Sequence, residues 1–322
     1  MTDQKTTTAD ITNINSFYSR DLLFRAQPFL VHTKFAQVKD IPMGNSSTIK
    51  FKRYANFAVA TTALVEGVTP VGKKLSETII FATAQQYGDF VTLTDKLTMT
   101  TEDPVRSEAN QVLGDQAGNT IDQLCRDIMV TGTNVIYSGS GNTQTSEVAA
   151  GDVITVANVQ SAEETLKVNN TRYMTSFVDP ATGYNTVPLP SCFIGICHIY
   201  TTKTIRAMTG FTKVELYAQP SARMDGEIGK VESTRFIETV NAKVFTGAGT
   251  SSIDVYATLI MGQYAYAITR ISGNALENIV KPLGSGGTSD PLNQRETSGW
   301  KATFVAKILN DDLIVRIEHA RV

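Results

Sequence analysis

The sequence predicts an α+β protein with parts that reach beyond its own core. Three observations predict this. One amphipathic helix pattern runs over 103–131, β-prone segments lie on both sides of it, and the first 46 residues are polar with no apolar period. At 322 residues the chain also exceeds the ~250–300 at which a single core stops growing.

Residues 1–46 are Thr-rich with scattered aromatics, among them Phe17, Tyr18, Phe24 and Phe29. Such a stretch cannot bury itself, so it is expected to be an arm held by something outside the subunit's core. Removal of residues 1–40 should then leave a folded subunit. From Met1 to Arg53 there are eight Lys/Arg against four Asp/Glu, a local charge of +4 in a chain of net charge −2.

STIKFKRYANFAVATT (47–62) and ETIIFATAQQYGDFVTLT (77–94) are β-prone, and Gly67, Pro70 and Gly72 interrupt the chain between them. The expectation is a two-stranded hairpin over 47–95 with a flexible tip. Strands of 15 residues would reach about 50 Å, too far to pack on their own domain.

The helix pattern opens with Asp103 as N-cap and Pro104 at the first helical position. Val105, Ala109, Val112, Leu113, Ala117, Ile121, Leu124, Cys125, Ile128 and Met129 trace a stripe in steps of 3 and 4. Gly132 is placed to end it. A helix of that length spans about 43 Å and reads as a structural spine.

Beyond it, YSGSGNTQTS (137–146) is loop, 159–170 a short helix, and SCFIGICHIY (191–200) a buried strand leading into a helix. GKVESTRFIETVNAKVF (229–245) reads as strand, and 255–272 as an apolar strand or helix pair. KATFVAKILN (301–310) and LIVRIEHARV (313–322) alternate with period 2 and predict a hairpin turning at Asn310–Asp312.

Composition and motifs exclude several functions. The net charge argues against a strongly basic nucleic-acid binder. No apolar run of 18 residues predicts a membrane span, and the first fifteen residues carry no apolar segment of a secretory signal. Cys125, Cys192 and Cys197 read as buried thiols in a reducing compartment. CFIGICH lacks the second ligand pair that zinc requires.

Gly67–Lys74 almost spells a phosphate-binding loop, but Lys74 replaces the hydroxyl residue, Pro70 removes an N–H, and strand rather than helix pattern follows. None of His32, His198 and His319 lies beside a nucleophile elbow. The acidic pairs Glu163–Glu164 and Asp311–Asp312 read as solvated surface. No catalytic, cofactor or metal constellation is predicted.

LVEGVTP (64–70) followed by QQYGDFVTLTD (85–95) resembles the major capsid proteins of tailed phages of the N-four type. So do LGDQAGNTIDQL (113–124), GTNVIYSG (132–139), GEIGKVESTRFIET (226–239) and SDPLNQRETSGWKATFVAKILNDDLIVRIEHA (289–320). In order and spacing these blocks cover nearly the whole chain. FIGICHIYTTKTIRAM (193–208) lacks the His-Pro that the family often shows there.

The resemblance implies the Hong Kong-97-type capsid fold. Its parts would be an N-terminal arm at 1–46, an extended E-loop hairpin at 47–95, and a P domain at 96–171 carrying the spine. The A domain would take 172–228 and 251–287, with P-domain strands at 229–250 and 288–322. It further implies intersubunit contacts from Glu66, Gly67, Thr69, Pro70, Lys73 and Lys74 at the loop tip, and from Phe17, Tyr18, Arg20, Phe24 and Arg25 in the arm.

Implied partners are further copies of the chain, scaffold, portal and cement proteins, and packaged double-stranded DNA through non-specific contact; no membrane and no cofactor are implied. The protein would be assembled in the host cytoplasm and reside in the virion. Two other readings compete: a decoration or tail-tube subunit, which the long helix disfavours, and a nucleotide-binding enzyme, which only the imperfect loop supports.

Overall fold

The structure is a computed structural model that describes residues 30–42, 44, 46–55, 57–64, 66–100, 104–178, 186–217, 223–270, 276–287 and 290–321. In chain order its strands are β1 (Gln37–Val38), β2 (Thr48–Tyr54), β3 (Glu77–Thr83), β4 (Gln85–Thr94), β5 (Val135–Tyr137), β6 (Met174–Val178), β7 (Thr186–His198) and β8 (Thr212–Lys213). They continue as β9 (Glu227–Val231), β10 (Thr234–Thr239), β11 (Val244–Phe245), β12 (Val255–Met261), β13 (Tyr266–Thr269), β14 (Glu277–Lys281), β15 (Arg295–Ile308) and β16 (Ile314–His319). The longer helices are the spine, Val105–Met129, and Val156–Val168.

β7 reads as an unbroken apolar run because both its faces are covered. Ile194 and Ile196 enter a core shared with Cys125 and Met129 of the spine, Leu259 and Met261 of β12, and Phe304 and Ala306 of β15. Phe193 and Cys197 point the other way, into a core with Val159, Ala162 and Leu166 of the second helix. Gly195 lies between them, where a Cβ would come 2.8 Å from the Phe236 ring. The nine-stranded sheet runs β5-β16-β12-β7-β10-β9-β8, with β11 beside β12 and β6 beside β7. The five-stranded sheet runs β1-β13-β15-β14, with β4 also paired to β15.

The spine packs on β15 through Leu113 and Ala117 against Trp300 and Ala302. Its buried face is Asn110, Leu113, Gly114, Ala117, Gly118, Asp122, Cys125 and Met129. This is rotated from the expected stripe. Val112 is exposed, because two glycines and the polar residues Asn110 and Asp122 take the inner face. Asn110 accepts the Ser298 hydroxyl, and Trp300 Nε1 donates to Gln116 Oε1 at 3.1 Å. Leu113→Asp is expected to prevent folding, since an unpaired charge at a fully buried site costs several kcal/mol. A normal thermal melt by circular dichroism would refute this placement.

Both expected ends of the spine differ. Asp103 lies outside the described residues, and Pro104 occupies the N-cap position, one residue before the helix. At the other end Gly132 is not the stop. The helix ends at Met129, and the Arg316 guanidinium donates to the Val130 and Gly132 carbonyls, a cation placed at the helix C-terminus.

The 47–95 hairpin is also shorter than expected. Only β2 and β3 pair, Thr48 to Thr83 through Tyr54 to Glu77, about 23 Å of ribbon. At Ala84 the chain crosses over, and β4 pairs instead with β15 from Thr94–Arg295 to Gln85–Phe304.

The C-terminal hairpin is overturned. β15 and β16 do not pair with each other; β16 lies between β12 and β5. Ile314, Val315 and Ile317 require cover on both faces, which a place inside the large sheet, between β5 and β12, supplies. The intervening turn is pinned to the spine's end, where the Asp311 carboxylate accepts the Thr133 N–H at 2.9 Å and the Thr133 hydroxyl. Asp311 is therefore no idle surface acid. Glu163 corrects the other acidic pair: it is buried and accepts from Ser233 N at 2.9 Å, Thr234 Oγ1 at 2.8 Å and Lys167 Nζ at 2.9 Å.

Residues 31–41 correct the expectation of a loose arm, and with it the 1–40 truncation. Val31, Phe35 and Ala36 enter the main core, and Ile41 is buried. Asp122, fully buried, accepts from Val31 N (2.9 Å), His32 N (2.7 Å) and His32 Nδ1 (2.8 Å), while the Tyr266 hydroxyl donates to the His32 carbonyl. No periodicity could reveal this, because side-chain hydrogen bonds rather than apolar spacing fix the segment. A truncation compatible with the fold ends before residue 30.

Candidate intersubunit surface

Beyond the β2–β3 ribbon, every described residue from 55 to 76 is exposed and none is in a strand. Ala55 N still donates to Ser76 O at 3.0 Å, and further out Lys73 Nζ donates to Ala58 O at 3.1 Å. Gly67 turns the chain at φ 79°, a left-handed conformation that glycine adopts without strain, with nothing within 4 Å of where a Cβ would stand. Glu66, Gly67, Thr69, Pro70, Lys73 and Lys74 all lie here, exposed, so the loop tip brings the six expected residues into one projection. Phe17, Tyr18, Arg20, Phe24 and Arg25 lie outside the described residues.

Charge is not what distinguishes this loop. Val71 is 96% and Val59 85% exposed, and Phe57, Leu64, Val68 and Leu75 are exposed with them. Apolar side chains concentrated on one projecting segment mark a surface made for burial against something else. Reading the tip for its charges missed them. The available signal was the apolar content of LVEGVTPVGKKL within a segment broken by Gly and Pro.

A second surface lies on the five-stranded sheet, opposite the spine. There a groove of about 800 Å³ runs over β4, β15 and β14, floored by Gly88 and Gly299 and walled by Phe90 and Ile279, with Lys281 at its rim. The glycines are required because the strands approach closely. A Cβ on Gly88 would meet Trp300 O at 2.5 Å, and one on Gly299 would meet Phe90 Cβ at 2.7 Å. Phe90 stands 66% exposed along this groove.

The chemistry available elsewhere is that of packing. Gly67–Lys74 leads into β3, not into the helix N-terminus that a phosphate loop requires. Burial pushes the Cys192 thiol up to about 11, Cys197 up to about 12, and Cys125 well above its usual value, which keeps all three protonated and unreactive. Among the described residues no three His, Cys, Asp or Glu side chains cluster as metal ligands. Among them, too, no helix is long and apolar enough to cross a membrane.

No family model and no curated protein matches this sequence. Solved structures do match over nearly its full length. The capsid of Ralstonia phage GP4 is similar at TM-score 0.66 with 15% identity, covering 92% of this chain and 90% of that one. The head of Helicobacter pylori bacteriophage KHP40 is similar at TM-score 0.63 and 13% identity, covering 92% and 91%. The cyanophage Pam1 capsid gives TM-score 0.62 and 14% identity, covering 92% of each chain. At such identities it is the fold that is shared. This chain therefore has the fold of the tailed-phage capsid proteins, the Hong Kong-97 type that its sequence blocks resemble.

Proposed function

We propose that the protein is a phage major capsid protein. It self-assembles as hexamers and pentamers into an icosahedral shell around double-stranded DNA, and it works as a structural protein rather than an enzyme. The observation that carries this reading is the projecting 55–76 loop with its exposed valines and leucines, on a chain with a capsid-protein fold. A loop that buries nothing on its own subunit is stable only if another copy covers it. We place it on the groove of the next copy, where Phe90 and Ile279 offer an apolar counterpart and Lys281 a partner for Glu66.

Within this reading the spine and five-stranded sheet form the peripheral part, and the nine-stranded sheet with its helix forms the axial part. These bounds depart from those implied by the resemblance. Segments 135–137, 229–239 and 314–319, expected in the P domain, share a sheet with 186–198 and 255–261, expected in the A domain. The shell meets the packaged DNA through non-specific contact. Scaffold, portal and cement proteins complete a particle that forms in the host cytoplasm and persists as the virion shell.

Light scattering on the purified chain tests the assignment. Particles far larger than a subunit are expected. A monomer at every concentration, or saturable ATP binding, would overturn it. The tip charges carry a second expectation. Glu66→Ala, Lys73→Ala and Lys74→Ala together should leave subunit melting unchanged and lower particle stability, more in dilute buffer than in high salt. Each exposed pair contributes only ~0–1 kcal/mol, but a shell repeats it in every copy. Particle melting like wild type across a salt series would show that these charges make no contact.

A further inference from the structure

Two of the three histidines meet at one end of the nine-stranded sheet, on either side of the buried Tyr256 ring. The His198 ring lies 5.3 Å from it and the His319 ring 6.5 Å. The partners of each imidazole fix where its proton sits. Tyr200 N–H donates to His198 Nδ1 at 3.1 Å, so that nitrogen must be bare. This bond makes His198 the N-cap of the turn Ile199–Thr201, which runs straight into the short helix Thr202–Arg206. At His319, Nδ1 faces the Ala320 carbonyl at 2.8 Å and so carries the proton, which leaves Nε2 to accept from the Thr258 hydroxyl at 2.9 Å.

Both rings are therefore held neutral by geometry. Protonating His198 sets a new N–H against the Tyr200 N–H and removes the cap. Protonating His319 forces the Thr258 hydroxyl to turn away, and puts a charge at a site with no solvent access.

The surrounding charges make acid worse. For His198, burial disfavours the charged ring most, a backbone hydrogen bond with Val240 opposes this, and Arg321, 5.2 Å from the Tyr200 ring centroid, adds to the lowering. The nearby carboxylates are engaged elsewhere. Glu238 accepts from the Thr202 hydroxyl, Asp152 accepts from Asn142 and Ala149, and Glu318, on the opposite face of β16, is ion-paired with Arg316 at 2.7 Å while its oxygens accept no hydrogen bond.

We propose that His198 and His319, flanking Tyr256, form an acid-operated latch whose protonation releases the 199–206 turn and the C-terminal end of β16. This does not depend on the capsid reading. Burial lowers both imidazoles, His319 to about 4. With folded values below the ordinary 6.5, the latch contributes its full stability above about pH 6.5 and loses it as the pH falls toward about 4. For His319 alone the folding equilibrium constant should drop on the order of 100-fold across that window.

Hydrogen exchange on the full-length chain, corrected for the intrinsic pH dependence, tests the proposal. Between pH 7 and 4.5, peptides spanning 199–206 and 314–320 should lose protection about tenfold or more, and by more than 156–168, which follows only the global change. His198→Asn keeps a capping acceptor that does not titrate, so it should abolish the acid response of 199–206. His319→Gln should flatten the pH dependence of global stability. An unchanged acid response in His198→Asn, or none in the wild type, overturns the latch. That comparison decides the matter even if the His319 variant does not fold.

Discussion

Replacing Val59, Leu64, Val68, Val71 and Leu75 with serine is expected to abolish particle formation while the subunit melts as before. All five are exposed, so the folded subunit loses nothing with them. Burying such a side chain against a partner is worth roughly 1.5–3 kcal/mol, so five of them outweigh every charged contact the tip can make. Sedimentation velocity should find a single subunit-sized species at concentrations where the wild type assembles. Particles of normal size would show that the loop's apolar face is not an interface. A lowered subunit melt would show that the loop packs on its own chain.

The second large effect is expected at Asp122. Asp122→Ala removes the acceptor of Val31 N, His32 N and His32 Nδ1 at once, in a site where neither His32 nor Asp122 touches solvent. Each buried donor left without a partner costs ~1–3 kcal/mol, so the sum is comparable with the whole stability of an ordinary domain. Asn241 Nδ2 loses a contact at 3.3 Å as well, and with it a tie between the spine and the loop after β10. Urea unfolding should show a loss of several kcal/mol, with trypsin cutting at Lys34 and Lys39 before the transition. A change under 1 kcal/mol would mean that apolar anchoring by Val31 and Phe35 is sufficient alone.

The spine, the buried strand ending at His198 and the helix near 159–168 were legible in the sequence because each is a local pattern. Steps of 3 and 4 mark a helix with one covered side. The run FIGIC marks a strand covered on both. The projecting loop was legible too, because Gly67 and Pro70 forbid regular structure between two β-prone runs. Its function was half seen. Charges stand out in a sequence, whereas an exposed valine looks like any other valine until the surface is known.

Tertiary structure alone decided which strands are neighbours. β15 and β16 look like a hairpin, yet they fall in different sheets, because pairing follows which faces can be covered and not proximity along the chain. The same holds for β12 and β13, and for β4, which leaves the ribbon for β15. Glu163 and Asp311 read as surface acids and Asp122 carries no signal, and only the fold brings to them the backbone N–H groups and hydroxyls that make burial or fixed placement favourable. The sequence by itself determined the elements and the loop that projects from them. The partners of polar groups and the order of strands come from residues as much as 234 positions apart, and no local period encodes them.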